Sequence, residues 1–173
     1  MRLRMSLRFA LAAAALCASA PLLSAQTKVA IINLQRAVLE SAEIKKASND
    51  MEAKYKPRTQ EIDQLQKDLA NISQQLQNSD KLSPAAQTDL QSQGTRKQRD
   101  LQRLQDDLQN DVTRDRNDIL AKASQKMTEV VKKIAEEKGY DVVLDISNAV
   151  YVKPALEITS DAIAAYDKAY PVK

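Results

Sequence analysis

The pattern of apolar and polar positions divides the chain into a long polar middle section and two shorter apolar ends. Between residues 43 and 138, apolar side chains recur at alternating spacings of three and four, the repeat of helices that pair along a narrow seam. One break interrupts this repeat at residues 78–84, where small polar residues compete with a helix for backbone hydrogen bonds. The pattern therefore predicts two helices joined near residue 81 into a coiled-coil hairpin.

The two halves of this hairpin supply the two rows of the predicted seam. Nine residues form its central part: Tyr55, Ile62, Leu65, Leu69, Ile72, Leu76, Leu101, Leu104 and Leu108. Antiparallel pairing about the break predicts that Arg58 forms an ion pair with Asp106 or Asp107. By the same register, Tyr55 is expected to pack against Leu104 or Leu108.

Capping residues define the second helix of the hairpin. Ser83 suits the N-cap and Pro84 the first helical position, where a missing N–H costs nothing. Gly139 follows Lys138 as a helix-terminating glycine. A helix over residues 84–138 would be roughly 80 Å long at about 1.5 Å per residue. We therefore expect a hairpin arm that projects from a small body, because no globule of this size can enclose such a helix.

The apolar ends predict a small sheet at the base of the arm. Residues 28–33, 141–145 and 150–152 are predicted strands, and the last two are expected to form a β-hairpin. The first two strands are apolar on both faces, which indicates that both sides of the sheet are covered. The predicted fold class is α+β and mostly helical, with a small β-sheet body and a long antiparallel coiled-coil helical hairpin.

Covering both faces of this sheet predicts an oligomer. The roots of the arm and a final helix cover one face, and no other segment remains for the second. Residues 26–173 also contain no tryptophan or phenylalanine, so one copy buries little apolar area. We therefore expect other copies on the second face, through an interface of Val29, Ile31, Val142, Leu144, Val150 and Val152.

Residues 1–25 have the layout of a secretory signal peptide. Three arginines precede an apolar run over residues 9–23, and Ser24 and Ala25 follow it. We expect cleavage after Ala25, with an uncleaved anchor as the alternative. The predicted organisation is thus a signal peptide over 1–25 and a single domain over 26–173. Its body comprises 26–42 and 139–173, and its arm comprises 43–138 with a tip near 79–83.

Removal of the signal peptide changes the charge. Residues 26–173 carry 23 basic and 23 acidic side chains. Nucleic-acid binding needs a basic face, so no nucleic-acid partner is expected. The chain has no histidine, and its one cysteine, Cys17, lies in the predicted signal peptide. We expect no cofactor, no metal site, no catalytic residues and no enzymatic activity, because the usual ligands and general bases are missing.

Two residues are candidate hinges of the arm. Pro57 removes a helical hydrogen bond, and Gly94 weakens a helix relative to alanine. The alternatives are a boundary between two consecutive helices at Pro57 and a close helix contact at Gly94. The basic cluster of Arg96, Lys97 and nearby arginines suggests transient contact with a membrane surface. The alternative is a salt-bridged helix face, because aspartates lie among the basic residues.

Several short motifs around the hairpin resemble one known family. They are the signal peptide, residues 28–33, Tyr55 to Arg58, residues 140–145, and Ala149 to Tyr151 before Glu157 to Thr159. In this order they resemble the Skp/OmpH family of periplasmic chaperones. The resemblance implies a homotrimer with three arms that holds unfolded outer-membrane proteins between them without ATP. This chain departs from the family in its neutral charge and in having Pro57.

The alternative function is a structural adaptor, in which a coiled-coil hairpin bridges envelope components. Adaptor hairpins of that kind are inserted in larger β domains. About 8 residues separate the predicted cleavage site from the first helix, and about 34 follow the second. These segments are short for that architecture, which favours the holdase hypothesis.

Overall fold

The structure is a computed structural model that describes residues 27–78 and 82–172. In chain order its elements are β1 (Val29–Ile32), α1 (Leu34–Glu40), α2 (Ala42–Gln77), α3 (Pro84–Lys138), β2 (Val142–Asp145) and α4 (Thr159–Ala169). Two 3-10 turns, Ile146–Asn148 and Pro154–Leu156, lie between β2 and α4. The predicted signal peptide and the centre of the predicted tip lie outside the described residues.

The long helices α2 and α3 form the predicted hairpin arm. Near the body, Lys126 Nζ lies 2.7 Å from Glu43 Oε1, and farther out Lys97 Nζ lies 2.7 Å from Asp68 Oδ2. Later residues of α2 therefore face earlier residues of α3, so the two helices run in opposite directions. The helical hairpin predicted from the apolar repeat is confirmed.

Both predicted ends of α3 are also confirmed. The Ser83 hydroxyl accepts a hydrogen bond from the Ala86 N–H, and Pro84 opens the helix. At the other end, Gly139 adopts φ of 66°, in the left-handed region that glycine enters without steric cost. Its N–H and that of Tyr140 bond to carbonyls of the last helical turn. These local signals fix the length of the arm.

The body contains a two-stranded parallel sheet. Val29 pairs with Val142 and Ile32 with Asp145, so the whole arm is the crossover between two neighbouring strands. One face of the sheet packs on α1, on the root of α3 and on α4. The buried core comprises Ala30, Ile32, Ala37, Val38, Ala123, Met127, Val130, Ile134, Ile158, Ala162 and Tyr166.

The predicted third strand at residues 150–152 is wrong. After β2 the chain turns away, because Asp145 Oδ1 accepts a hydrogen bond from the Ser147 N–H and holds a 3-10 turn. Val150 lies fully exposed outside any strand. The free edge of β1 is met instead by Glu157, which forms a parallel bridge with Ile31. The Ile158 N–H donates to the Ile31 carbonyl at 2.8 Å. Residues 150–152 join neither strand of the sheet, so the expected β-hairpin with β2 does not form.

Within residues 27–78 and 82–172, no helix has the length and apolar character that crossing a membrane requires.

Candidate functional site

The surface of the arm is the first candidate site, and the predicted seam residues define its apolar part. Four of them are buried between the helices: Tyr55, Ile62, Ile72 and Leu101. The other five are half-buried: Leu65, Leu69, Leu76, Leu104 and Leu108. The row is narrow, and the neighbouring side chains on both helices are mostly exposed polar residues. The arm therefore presents amide, methylene and charged groups to solvent.

The register of the arm differs from the prediction. Arg58 Nη1 lies 2.6 Å from Asp111 Oδ2, so the predicted pairing with Asp106 or Asp107 is wrong. The Tyr55 hydroxyl donates to Asp115 Oδ2 at 2.7 Å. Asp115 lies seven residues beyond Leu108, about 10 Å along the helix axis. The prediction centred the hairpin on the break in the apolar repeat, whereas side-chain contacts along the two helices set the actual register.

Ion pairs between α2 and α3 perturb the acidity of several arm carboxyls. The Lys54 ammonium, followed by the Tyr55 hydroxyl, lowers the pKa of Asp115 to about 2. Arg58 lowers the pKa of Asp111. Exposed pairs of this kind each contribute little to stability. They act together as a polar ladder that holds the two helices in register.

A polar cluster at the base of the arm was missed from the sequence. Glu43 Oε2 accepts a hydrogen bond from the Tyr166 hydroxyl at 2.6 Å, and its other oxygen binds Lys126. Burial, followed by Glu43, raises the pKa of Tyr166. Burial alone would raise the pKa of Glu43, but the bonds from Lys126 and Tyr166 outweigh it and lower that pKa. No local signal connects residues 123 positions apart, so sequence patterns could not find this cluster.

A groove opens between the helices near the tip. Its volume is about 700 Å³, and its apolar lining consists mainly of Leu69, Ile72 and Leu76. A Cβ atom on Gly94 would lie 3.5 Å from Ile72 Cγ2, which is ordinary van der Waals contact. Gly94 therefore lies against α2, as expected of a close helix contact near the tip.

The other candidate hinge, Pro57, lies within α2. This helix runs without a break from Ala42 to Gln77, and Pro57 is exposed on it. The alternative that a boundary between two consecutive helices lies at Pro57 is therefore wrong. A proline inside a helix removes one backbone hydrogen bond and crowds the preceding turn. The position stays a candidate for bending of the arm.

The second candidate site is the side of the sheet opposite the core. On β2, Val142 and Leu144 point to this side and are 40% and 46% exposed. On β1, Val29 is half-buried, whereas Ile31 is 5% exposed and already covered within the chain. Two further predicted interface residues follow β2, the fully exposed Val150 and the half-buried Val152. An apolar strip thus remains uncovered beside the base of the arm.

Metal binding needs several ligands close together. In the part of the chain that the structure describes, no group of three or more histidine, cysteine, aspartate or glutamate side chains is placed to hold one ion.

Comparison with known proteins gives one consistent result. Residues 28–166 match the family described as outer membrane protein (OmpH-like). The chain is 31% identical to a Skp-like protein of Pseudomonas aeruginosa, over 90% of this chain and 93% of that protein. It is 29% identical to the chaperone protein Skp of Yersinia enterocolitica, over 86% and 90% of the two chains.

A solved structure has the same fold. The crystal structure of an OmpH-like outer membrane chaperone from Caulobacter crescentus superposes with a TM-score of 0.72. The superposition covers 85% of this chain and 88% of that one, at 20% sequence identity. Because the identity is low, this likeness supports the architecture of body and arm and nothing finer.

Proposed function

This chain belongs to the OmpH-like family, and from that premise we propose that it is an ATP-independent holdase chaperone of the periplasm. It binds unfolded outer-membrane proteins and prevents their aggregation before membrane insertion. The curated relatives that carry the name chaperone support this role.

The observation that carries the proposal is the surface of the arm. Thirteen of the sixteen glutamines lie between residues 60 and 109, along both helices. Such a surface offers many weak contacts to an unfolded chain. It has few large apolar patches that would bind that chain tightly. Many weak contacts in one enclosed space hold a client by high effective concentration while leaving it mobile.

Enclosing that space requires more than one arm, and we propose a homotrimer that assembles through the bodies. The exposed Val142 and Leu144 support this assembly, because burying them against another copy removes apolar surface from water. Val29, Val150 and Val152 border the same interface in the proposal. Ile31 is already buried within the chain, so in this proposal it packs beneath the interface and is not part of its contact surface.

Light scattering and native mass spectrometry test the assembly. We expect the mass of three chains at micromolar concentration, and dissociation when Val142 and Leu144 are both replaced by aspartate. The matched control is Val172→Asp, since Val172 is equally exposed but lies beyond α4. A folded monomer of the parent chain at that concentration would contradict the proposed homotrimer.

The holdase role is tested by rapid dilution of a urea-unfolded outer-membrane β-barrel protein. At a few-fold molar excess and without nucleotide, the protein is expected to suppress turbidity. The Val142→Asp, Leu144→Asp variant is expected to protect poorly, because separate arms enclose no space. A chain of normal mass that leaves aggregation unchanged would contradict the holdase role and favour the adaptor.

Localisation and surface contact complete the proposal. The chain is exported by a cleavable signal peptide, so sequencing of the periplasmic protein should give Gln26 as its first residue. We also propose transient membrane-surface contact at the arm tip, where Arg96 and Arg99 make no ion pair with any described carboxylate. Sedimentation with anionic vesicles tests it, and an Arg96→Gln, Arg99→Gln variant should sediment less.

Bending of the arm at Pro57 would let the arms fit clients of different size. A Pro57→Ala variant should restore the missing helical hydrogen bond and narrow the distribution of arm separations in solution scattering. A distribution that matches the parent chain would remove Pro57 as a hinge.

A further inference from the structure

Two adjoining hollows lie at the root of the arm, on a surface not used above. The first, of about 320 Å³, is lined mainly by Ile44, Met51 and Ile119. The second, of about 540 Å³, lies toward the body and includes Val38 and Ile146. Both hollows share the same three residues, Leu39, Arg116 and Leu120. Together they form one groove, called the root groove below.

The apolar wall of the root groove is open to solvent. Leu39 is 43% exposed although it lies on a helix whose other face packs into the core. Leu39 and the half-buried Leu120 line both hollows. A ligand with apolar side chains would therefore cover surface that the described part of the chain leaves exposed.

The only cation among the lining residues of the root groove is Arg116. Nearby Arg114 pairs with Asp111 and Asp115, whereas Arg116 has no ion pair or hydrogen bond to any described side chain. Asp145 lines the far end of the second hollow, but its oxygens accept hydrogen bonds from the Leu34 and Ser147 N–H groups. The guanidinium between the two hollows is thus available to a carboxylate from outside the chain.

Because Arg116 lines both apolar hollows, a ligand can place an apolar side chain in each hollow and a carboxylate beside the guanidinium. In an extended chain, alternate side chains point to the same side and are roughly 7 Å apart. We propose that the root groove binds an extended segment of an unfolded client in which an acidic residue lies between two large apolar residues, each two positions away. The proposal rests on the proposed holdase function and names the kind of client segment held at the base of the arm.

The chain provides its own reporter and control for this binding. Met51 and Met127 are the two methionines within the described residues. Met51 lines the root groove, whereas Met127 is fully buried in the core. With ¹³C-labelled methionine methyl groups, we expect the Met51 signal to shift during titration with peptide and the Met127 signal to stay in place. A Met51→Leu variant assigns the signal.

The probe is a blocked seven-residue peptide with the sequence glycine, leucine, serine, aspartate, serine, leucine, glycine. Its asparagine analogue keeps the shape without the charge, and an analogue with serine in place of both leucines removes the apolar anchors. We expect about fivefold weaker binding of the asparagine peptide, the upper end for an exposed ion pair. The serine analogue should cause no shift at Met51.

Two variants of the protein test whether Arg116 is the cation that binds the peptide carboxylate. Arg116→Gln is expected to weaken binding of the aspartate peptide about fivefold and to leave binding of the asparagine peptide unchanged. Arg103→Gln is the matched control, because Arg103 lies exposed on the same helix away from the groove. Its affinity for the aspartate peptide should equal that of the parent chain.

Three outcomes would overturn the root groove as a client site. In the first, the Met51 signal does not move during titration with the aspartate peptide. In the second, Arg116→Gln binds that peptide as tightly as the parent chain does. In the third, the Met51 signal moves when the oligomer dissociates but not when peptide is added, which would place a second copy of the chain in the groove. Suppression of client aggregation is measured separately, so loss of the groove leaves the holdase role standing. If only the aggregation assay fails, the holdase role is removed, and the Met51 methyl signal still decides whether the groove binds peptide.

Discussion

The base of the molecule and its outer arm are built in different ways. At the base, the sheet, the arm roots and α4 share a closed core in which Met127 and Tyr166 are fully buried. In the outer arm, residues 58–78 and 82–111, only Ile62, Ile72 and Leu101 are buried among the described residues. The base is held by packing in three dimensions, whereas the outer arm is held by one row of side chains and a ladder of polar contacts.

This difference in packing predicts that the base and the outer arm open at different free energies. A closed core loses many contacts at once when it opens, so the base should open only with the whole protein. The outer arm has few buried apolar contacts per turn, and such regions open locally at low free energy. An arm that opens without unfolding its base suits clients of variable size.

The largest expected effect is at the base, from Tyr166→Ala. The change leaves a cavity and removes the hydroxyl that binds Glu43, so we expect a loss of about 4 kcal/mol in the free energy of unfolding. Urea unfolding at fixed protein concentration measures it. Tyr166→Phe is the control that separates the hydroxyl from the ring and should lose only about 1 kcal/mol.

A loss below about 1 kcal/mol for Tyr166→Ala would contradict the closed core. It would mean that α4 is not part of the cooperative base.

Leu101→Ala tests the outer arm and should have a smaller and more local effect. We expect about 2 kcal/mol, the lower end for a buried leucine, because only one row of side chains surrounds the site. Amide hydrogen exchange should speed up along the outer arm and stay unchanged in β1 and β2. The half-exposed Leu156 at the base provides the control variant, Leu156→Ala, with little change expected anywhere. Faster exchange in the strands would show that arm and base open together.

Local sequence signals were sufficient to predict the arm. The apolar repeat, the cap at Ser83, Pro84 and the terminating Gly139 act within a few residues of one another, and each has a specific backbone consequence. They gave the bounds of α3 as the structure has them. The family resemblance was also carried by short local motifs.

Features that depend on distant contacts could not be predicted. Residues 150–152 have strand-forming side chains, but pairing with β2 depends on the path of the chain after it. There Asp145, which also binds the distant Leu34 N–H, holds a 3-10 turn in place of a hairpin turn. The register of the arm depends on pairs such as Arg58 with Asp111, and prediction from the break in the repeat placed this pair about one helical turn away from its actual position. The root groove was missed because Leu39, Met51 and Arg116 come from three helices.

The two glycines of the chain should respond in opposite directions to alanine. Gly94 is helical with room for a Cβ, so Gly94→Ala should stabilise the outer arm by about 1 kcal/mol. Gly139 has a positive φ, so Gly139→Ala should destabilise the protein by about 1 kcal/mol. Thermal unfolding and hydrogen exchange measure both. A destabilised Gly94→Ala variant would show that the contact with Ile72 has no room to adjust.

The smallest effect concerns the polar ladder between α2 and α3 under acid. Asp68 and Asp111 have pKa values below their ordinary value through Lys97 and Arg58, and Lys54 lowers the pKa of Asp115 to about 2. A lowered carboxyl pKa contributes stability that is complete above the ordinary value near 3.8 and is lost as pH falls through the folded value. Hydrogen exchange in α2 and α3 beside these pairs should therefore rise, relative to β1 and β2, between about pH 4 and pH 2. Asp115→Asn should flatten this dependence, whereas Asp118→Asn, at an exposed site without an ion pair among the described residues, should leave it unchanged. An identical acid response in all three proteins would show that the narrow apolar row alone holds the helices together, and the ladder would then set only their register.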